Sequence, residues 1–423
     1  MKKSFFAVVS IFASAAFALD VEPEITNLQF EQNANRMVTI SYTLTKDAVL
    51  SLDLKTNDVS IGREVVRTVF DPANPDAGYP FAGEVAKAGT YTLMWKPVRD
   101  WPDRIFTNGE FSVEIRAWSL DNPPDYMVVD LKEPYARRFY PTAEDIPGGL
   151  KTADPDDEAA VAALGSDQYR RDKLVMRKIP AAGNTWLMGS PATESSYRDP
   201  SEVQHYVTLT NDYYISIYPL TVHQRYNGTG GGASWDLSVK PAAGISYNKF
   251  RGSSTEGDAV WPGNGHNVGA DSELQVLRDR TGLMFDFPTE AQWEYACRAG
   301  SSGGIWGAPR QDYGWFLENG AGEYKVVGIK KPNGWGLYDM NGLVSEWVLD
   351  QWGTPSADSV VEPGGPSDNP GMRVTKGGSA WYNYTVQGRS ASRKGYNSSK
   401  GADENVGGGF GVRLCCPAKI PQP

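Results

Sequence analysis

Gly334-Trp-Gly-Leu-Tyr-Asp-Met-Asn-Gly-Leu-Val-Ser-Glu-Trp347 keeps neither a helical nor a strand period. Glycine and asparagine interrupt it, and tryptophans sit near both ends. It reads as a tight Asn341-Gly342 turn between aromatic anchors, with Trp335 and Trp347 in a core. Upstream, Thr289-Glu-Ala-Gln292 follows Pro288 and has the spacing of a capping box. It predicts a helix through about Arg298, with Trp293 as a further core residue. Thr221-Val-His-Gln224 is a second capping box. Asp271 to Arg280 carries Leu274 and Leu277 on one face and stops at Gly282. Lys173-Leu-Val-Met-Arg-Lys-Ile179 reads as an opening strand. Strands and helices do not alternate, which excludes a parallel α/β fold. Residues 173–418 are therefore expected to form an irregular α+β domain held by aromatic packing.

Residues 19–131 have a different character. Val38, Ile40, Tyr42 and Leu44 alternate with polar residues, as do Leu50, Leu52 and Leu54. Tyr91, Leu93 and Trp95, then Phe111, Val113, Ile115 and Ala117, do the same. Period-2 alternation in short runs predicts strands with one buried face. An all-β sandwich of immunoglobulin or fibronectin type is the expected architecture. Residues 132–172 hold Pro134, Pro141, Pro147 and the acidic Asp154-Pro-Asp-Asp-Glu158. They read as a linker, with a helical turn or two at Ala159–Leu164.

Lys2 and Lys3 precede a short apolar run, and Ala16-Phe17-Ala18 has small-x-small spacing. Residues 1–18 therefore read as a signal peptide, and the chain as exported to a periplasmic, cell-surface or extracellular location. No later apolar run is long enough for a membrane span. The 423 residues carry a net charge of -10, which argues against nucleic acid as a partner. The three cysteines are too few for a disulfide scaffold and suit no zinc site. Export allows one bridge, from Cys297 to Cys415 or Cys416, leaving one thiol over.

Several segments occur in a recognisable order. They are Ile179-Pro-Ala-Ala-Gly183, Trp186-Leu-Met-Gly-Ser190, Phe287 to Gly300, Gly334 to Trp347, Lys376-Gly-Gly-Ser379, Arg389-Ser-Ala-Ser-Arg393 and Gly411-Val-Arg-Leu414. Over about residues 173–416 the chain resembles the formylglycine-generating enzyme, or sulfatase-modifying factor, family. The resemblance implies a variant of the C-type lectin fold. It also implies oxidation of a substrate cysteine to formylglycine, by a copper-binding cysteine pair shortly after Gly-Gly-Ser. Here Ser379 is followed by Ala-Trp-Tyr-Asn-Tyr-Thr-Val-Gln-Gly388, with no cysteine. Tyr382 falls where the first would be. A phenol does not replace the soft thiolate that copper(I) requires. Copper is therefore not expected, and no catalytic residue is assigned.

The resemblance also implies a calcium ion (Ca2+) held by Asp339, Gly342, Val344 and Glu346. Ca2+ takes about six to eight oxygens, which two carboxylates and main-chain carbonyls begin to supply. The competing reading pairs Glu346 with Arg389 or Arg393. His205, His223 and His266 lack the spacing of an iron site and read as structural or surface groups. Gly228-Thr-Gly-Gly-Gly232 lacks the lysine of a phosphate loop.

Two functions from different classes follow. The first is a ligand-binding module that uses the former active-site surface: Ser379, Trp381, Tyr382, Asn383, Tyr384, Arg389 and Arg393. Such residues suit recognition of a glycan, a peptide or another envelope protein, since rigid aromatics bury area at low entropic cost. The second is an enzyme of the same family with altered, nonheme-metal or oxidoreductase chemistry.

Overall fold

The computed structural model describes residues 3–5, 22–61, 66, 68–73, 85–102, 110–231, 238–252, 268–305, 307–365, 371–401 and 408–420. It divides into two compact units: residues 1–126, 137–150 and 419–423, and residues 127–136 with 151–418. Among the described residues no helix is long and apolar enough to cross a membrane. Lys3–Phe5 pairs antiparallel with Phe30–Gln32, and the rest of residues 1–18, read above as a signal peptide, lies outside the described residues.

The first unit is built from strands whose buried faces follow the predicted alternation. Ile25–Gln32, Val38–Leu44 and Gly89–Trp95 form one antiparallel sheet. Ala48–Thr56 pairs with Phe111–Trp118 in another. Val38, Ile40, Tyr42 and Leu44 share one core with Leu50, Leu52, Leu54, Leu93, Trp95 and Phe111. Trp95 is fully buried and satisfies its indole N–H on Asp100 at 2.8 Å. A cleft of about 530 Å³ is lined in part by Asp53, Lys55, Glu114 and Arg116. Their charges are spent on one another: Glu114 pairs with both Lys55 and Arg116.

In the second unit Lys173–Ile179, Tyr213–Ser216 and Cys415–Pro417 lie side by side, antiparallel. A second sheet runs Arg393–Asn397, Met372–Lys376, Ser345–Gln351 and Phe410–Val412. Its last pair is parallel. Both predicted capping boxes are present, on the helices Val222–Thr229 and Glu290–Arg298. Ser272 caps Glu273–Thr281, which Gly282 ends in a left-handed conformation (φ 67°). Trp293 and Trp347 are fully buried, and Trp347 donates to the Ile245 carbonyl at 2.7 Å. Trp335 differs from expectation. It is half-buried, packed on Tyr295 at 5.1 Å.

Within the stretch read as a linker, the helical turns expected at Ala159–Leu164 are present, and a second short helix follows. Asp157 and Asp167 cap the short helices Glu158–Ala163 and Gln168–Arg171. Acidic residues that suggest a solvated connector serve here as helix N-caps. Arg170 is fully buried, ion-paired with Asp167 and bonded to the Val327 carbonyl at 2.9 Å.

Candidate functional site

Two glycines set up the site. Gly377 and Gly378 adopt φ of 86° and 69°, a region that side chains with Cβ disfavour. A Cβ on Gly378 would lie 2.7 Å from the Gln387 carbonyl oxygen. The turn lets Gly342 donate to Gly377 O at 2.7 Å, and Ala380 donate to Leu343 O at 3.1 Å. The segment after Ser379 is thereby fixed to the 339–346 loop.

The expected ligand residues divide into two groups. Ser379 is buried, and its hydroxyl accepts the Trp381 N–H at 3.3 Å. Trp381, Tyr382 and Tyr384 are half-exposed and Asn383 is exposed. Trp381 packs on Tyr324 with ring centroids 4.3 Å apart. The Tyr382 and Tyr396 hydroxyls are 3.2 Å apart. Tyr384 lies edge-on to Phe316, with the Arg310 guanidinium 4.6 Å from its ring centre. Arg389 and Arg393 differ from the surface role expected of them. Arg389 is buried against Glu194 and Glu202 at 2.7–2.8 Å. Arg393 forks onto Glu290 with two 2.7 Å contacts. Buried guanidinium groups require such partners, so both arginines are spent on internal ion pairs.

The cysteines are free and buried, which corrects the expected bridge. Cys297 lies on the Glu290–Arg298 helix against Ser390 and Asn341, whereas Cys415 and Cys416 sit on the strand paired with Ile215 and Tyr214. Burial pushes the Cys297 thiol up to about 11, against the Ser390 hydrogen bond. Burial and then Asp286 push Cys415 well above the ordinary thiol range. Neither presents a thiolate at neutral pH.

The expected calcium loop is buried and sharply curled, with positive φ at Asp339, Gly342 and Leu343. Asp339 Oδ2 accepts the Gly328 N–H at 2.6 Å, while Oδ1 is buried with no hydrogen-bond partner. Burial raises this carboxyl to about 6, although the Gly328 bond, Arg413 and Arg170 favour its ionised form. An orphaned carboxylate oxygen fits a cation. The other end is already engaged. Glu346 accepts Arg413 at 2.9–3.1 Å and the Trp293 indole N–H at 2.6 Å. Its partner is Arg413, not Arg389 or Arg393. The Gly342 carbonyl accepts the Val344 N–H at 2.8 Å.

Among the described residues no three His, Cys, Asp or Glu side chains converge as a metal centre. His205 bonds the Val203 carbonyl at 2.8 Å. His223 is packed between Arg171 and Asn227. His266 and Gly232 lie outside the described residues.

Residues 171–414 match the sulfatase-modifying factor enzyme 1-like domain, and the chain belongs to that family. The formylglycine-generating enzyme of Bos taurus is 34% identical over 139 residues, covering 28% of this chain and 37% of that protein. The Thermomonospora curvata formylglycine-generating enzyme is 37% identical over 113 residues, covering 22% of this chain and 37% of that protein. These matches span little over a third of the relatives' length. Among solved structures, Treponema denticola variable protein 1 superposes with a TM-score of 0.44 at 19% identity, over 58% of this chain and 95% of that one. PvdO from Pseudomonas aeruginosa gives 0.45 at 22%, over 58% and 94%. Sequence reasoning missed Tyr324 as part of the aromatic surface. Its ring meets Trp381 only through the fold, and a lone Tyr in an acidic loop carries no local signal.

Proposed function

We propose that this chain is an exported, ligand-binding member of the sulfatase-modifying factor family that lacks formylglycine-generating chemistry. One observation carries the reading. Half-exposed Trp381, Tyr382 and Tyr384 occupy the segment where the family's cysteine pair belongs, and the chain's own Cys297 and Cys415 are buried and protonated. Copper(I) requires thiolate, and this surface offers phenol, indole and amide instead. Export rests on the Lys2-Lys3 pair and the apolar run after it. The second unit takes the C-type-lectin-like fold. The first unit is an immunoglobulin-like sandwich that spaces or presents it; its two sheets share one core, as sandwiches do.

The purified chain is expected to leave a Cys-x-Pro-x-Arg peptide unchanged with copper and oxygen supplied. Mass spectrometry of the peptide checks this, and a loss of sulfur from the cysteine would refute the proposal.

The same reading includes a calcium ion on the 339–346 loop. Asp339 would hold it, with main-chain oxygens of Gly342 and Val344 and a Glu346 carboxylate shared with Arg413. Bound, the ion supplies the charge that Asp339 Oδ1 lacks. Calcium is expected to raise the melting temperature of the chelator-treated protein, and Asp339→Ala to abolish that rise. An equal calcium response in wild type and variant removes the site.

A further inference from the structure

Tyr324, Trp381 and Tyr396 meet the short segment Gly408–Phe410, and Tyr382 joins them through Tyr396. The Tyr324 hydroxyl donates to Gly409 O at 3.0 Å and accepts the Gly409 N–H at 2.6 Å. Its ring meets Trp381. Trp381 covers Gly408, where an added Cβ would lie 3.4 Å from the indole Cγ. Tyr396 packs on Phe410 at 4.6 Å, and its hydroxyl faces that of Tyr382 and the Gln387 amide, 3.5 Å away. Tyr324, Trp381, Tyr382 and Tyr396 are all half-exposed, and Asn383 beside them is exposed.

Among the described residues, several neighbouring charges are paired with one another. Glu323 pairs with Lys325 and Lys394 with Asp199. Arg389 is held by Glu194 and Glu202, and Arg393 by Glu290. The surface therefore offers apolar ring faces edged by neutral hydroxyl and amide groups. An anionic ligand would have to displace a carboxylate from any of these cations. A peptide main chain finds the Gly409 N–H and C=O already taken by Tyr324. The complement is an uncharged molecule with C–H faces and many hydroxyls. The faces stack on the rings, and the hydroxyls exchange hydrogen bonds with the phenols and Asn383.

Resting on the reading of this surface as a binding site, we propose that Tyr324, Trp381, Tyr382 and Tyr396 bind a neutral glycan, with a sugar ring stacked on Trp381.

The test uses the full exported chain on immobilised neutral polysaccharides (cellulose, xylan, mannan, galactan). Polygalacturonate and a phage-displayed random peptide library run beside them. Retention on a neutral polysaccharide, unaffected by added salt, is expected. Trp381→Ala should weaken it by about tenfold or more, as for a central aromatic anchor, and Trp381→Phe should keep most of it. Retention on polygalacturonate alone, or Trp381-dependent selection of peptides alone, overturns the glycan assignment while leaving the surface a binding site. Retention equal in wild type, Trp381→Ala and Tyr382→Ala, or no retention on any probe, overturns both.

Discussion

Glu346→Ala is expected to destabilise the second unit by about 3–5 kcal/mol, the range for breaking a buried ion pair from one side. Glu346 and Arg413 are both essentially inaccessible to solvent. The guanidinium spends its other donors on the Ser216 and Tyr338 carbonyls, each at 2.8 Å. The Trp293 indole N–H loses its partner as well. Urea unfolding, followed on the transition of this unit, measures the loss. The double variant Glu346→Ala/Arg413→Met should recover much of it, because the stranded charge leaves with the arginine. A loss below about 1 kcal/mol in the single variant would mean the pair is not the anchor its burial suggests.

The second large effect depends on pH. Asp350 is fully buried, and burial followed by the neighbouring Glu290 pushes its carboxyl up to about 7, despite the Glu290 N–H it accepts and Arg393 nearby. The folded-state value lies above the unfolded one of about 4. The folded state therefore gains from holding this proton. That contribution is full below about pH 4 and is lost as pH rises through about 7. Asp350→Asn removes the titration and keeps an oxygen for the Glu290 N–H, which Asp350 Oδ2 accepts at 2.6 Å. Its melting-temperature advantage over wild type should grow from pH 5 to about pH 7 and level off above it. Burial opposes ionisation of nearby Glu294 too, but Lys376 and Arg298 overcome it and hold that carboxyl at about 2. Its contribution fades only toward acid, outside this window. Asp339 titrates within the window, so the informative quantity is the difference between variant and wild type. A pH-independent difference would contradict the assignment.

Local chemistry was readable in the chain and distant pairing was not. Thr221-x-x-Gln224 and Thr289-x-x-Gln292 declare their helices because every group in a capping box lies within four residues. The alternation at Val38–Leu44 likewise reports which face is buried. Arg389 and Arg393 look like surface cations in the sequence. Their carboxylate partners lie 187 and 103 residues upstream, and nothing local marks the pairing. The same holds for Arg413, 67 residues from Glu346. Family resemblance directed attention to the 339–346 loop and to Tyr382. It did not supply Tyr324, whose role depends on a main-chain contact with Gly409, 85 residues downstream.

The strand Cys415–Pro417 closes against Tyr213–Ile215, and Cys415 exchanges both main-chain hydrogen bonds with Asp286. Phe410–Val412 completes the other sheet alongside Ser345–Trp347. The unit is thus closed by strands far along the chain from their sheet partners. Until residues 410–417 are in place, Glu346 lacks its arginine and two sheets lack an edge. Such long-range closure makes folding slow, and the exposed edges invite mispairing. Commitment to the native state therefore waits until residues 410–417 are available. A variant lacking them would leave both sheets without an edge strand and the unit open.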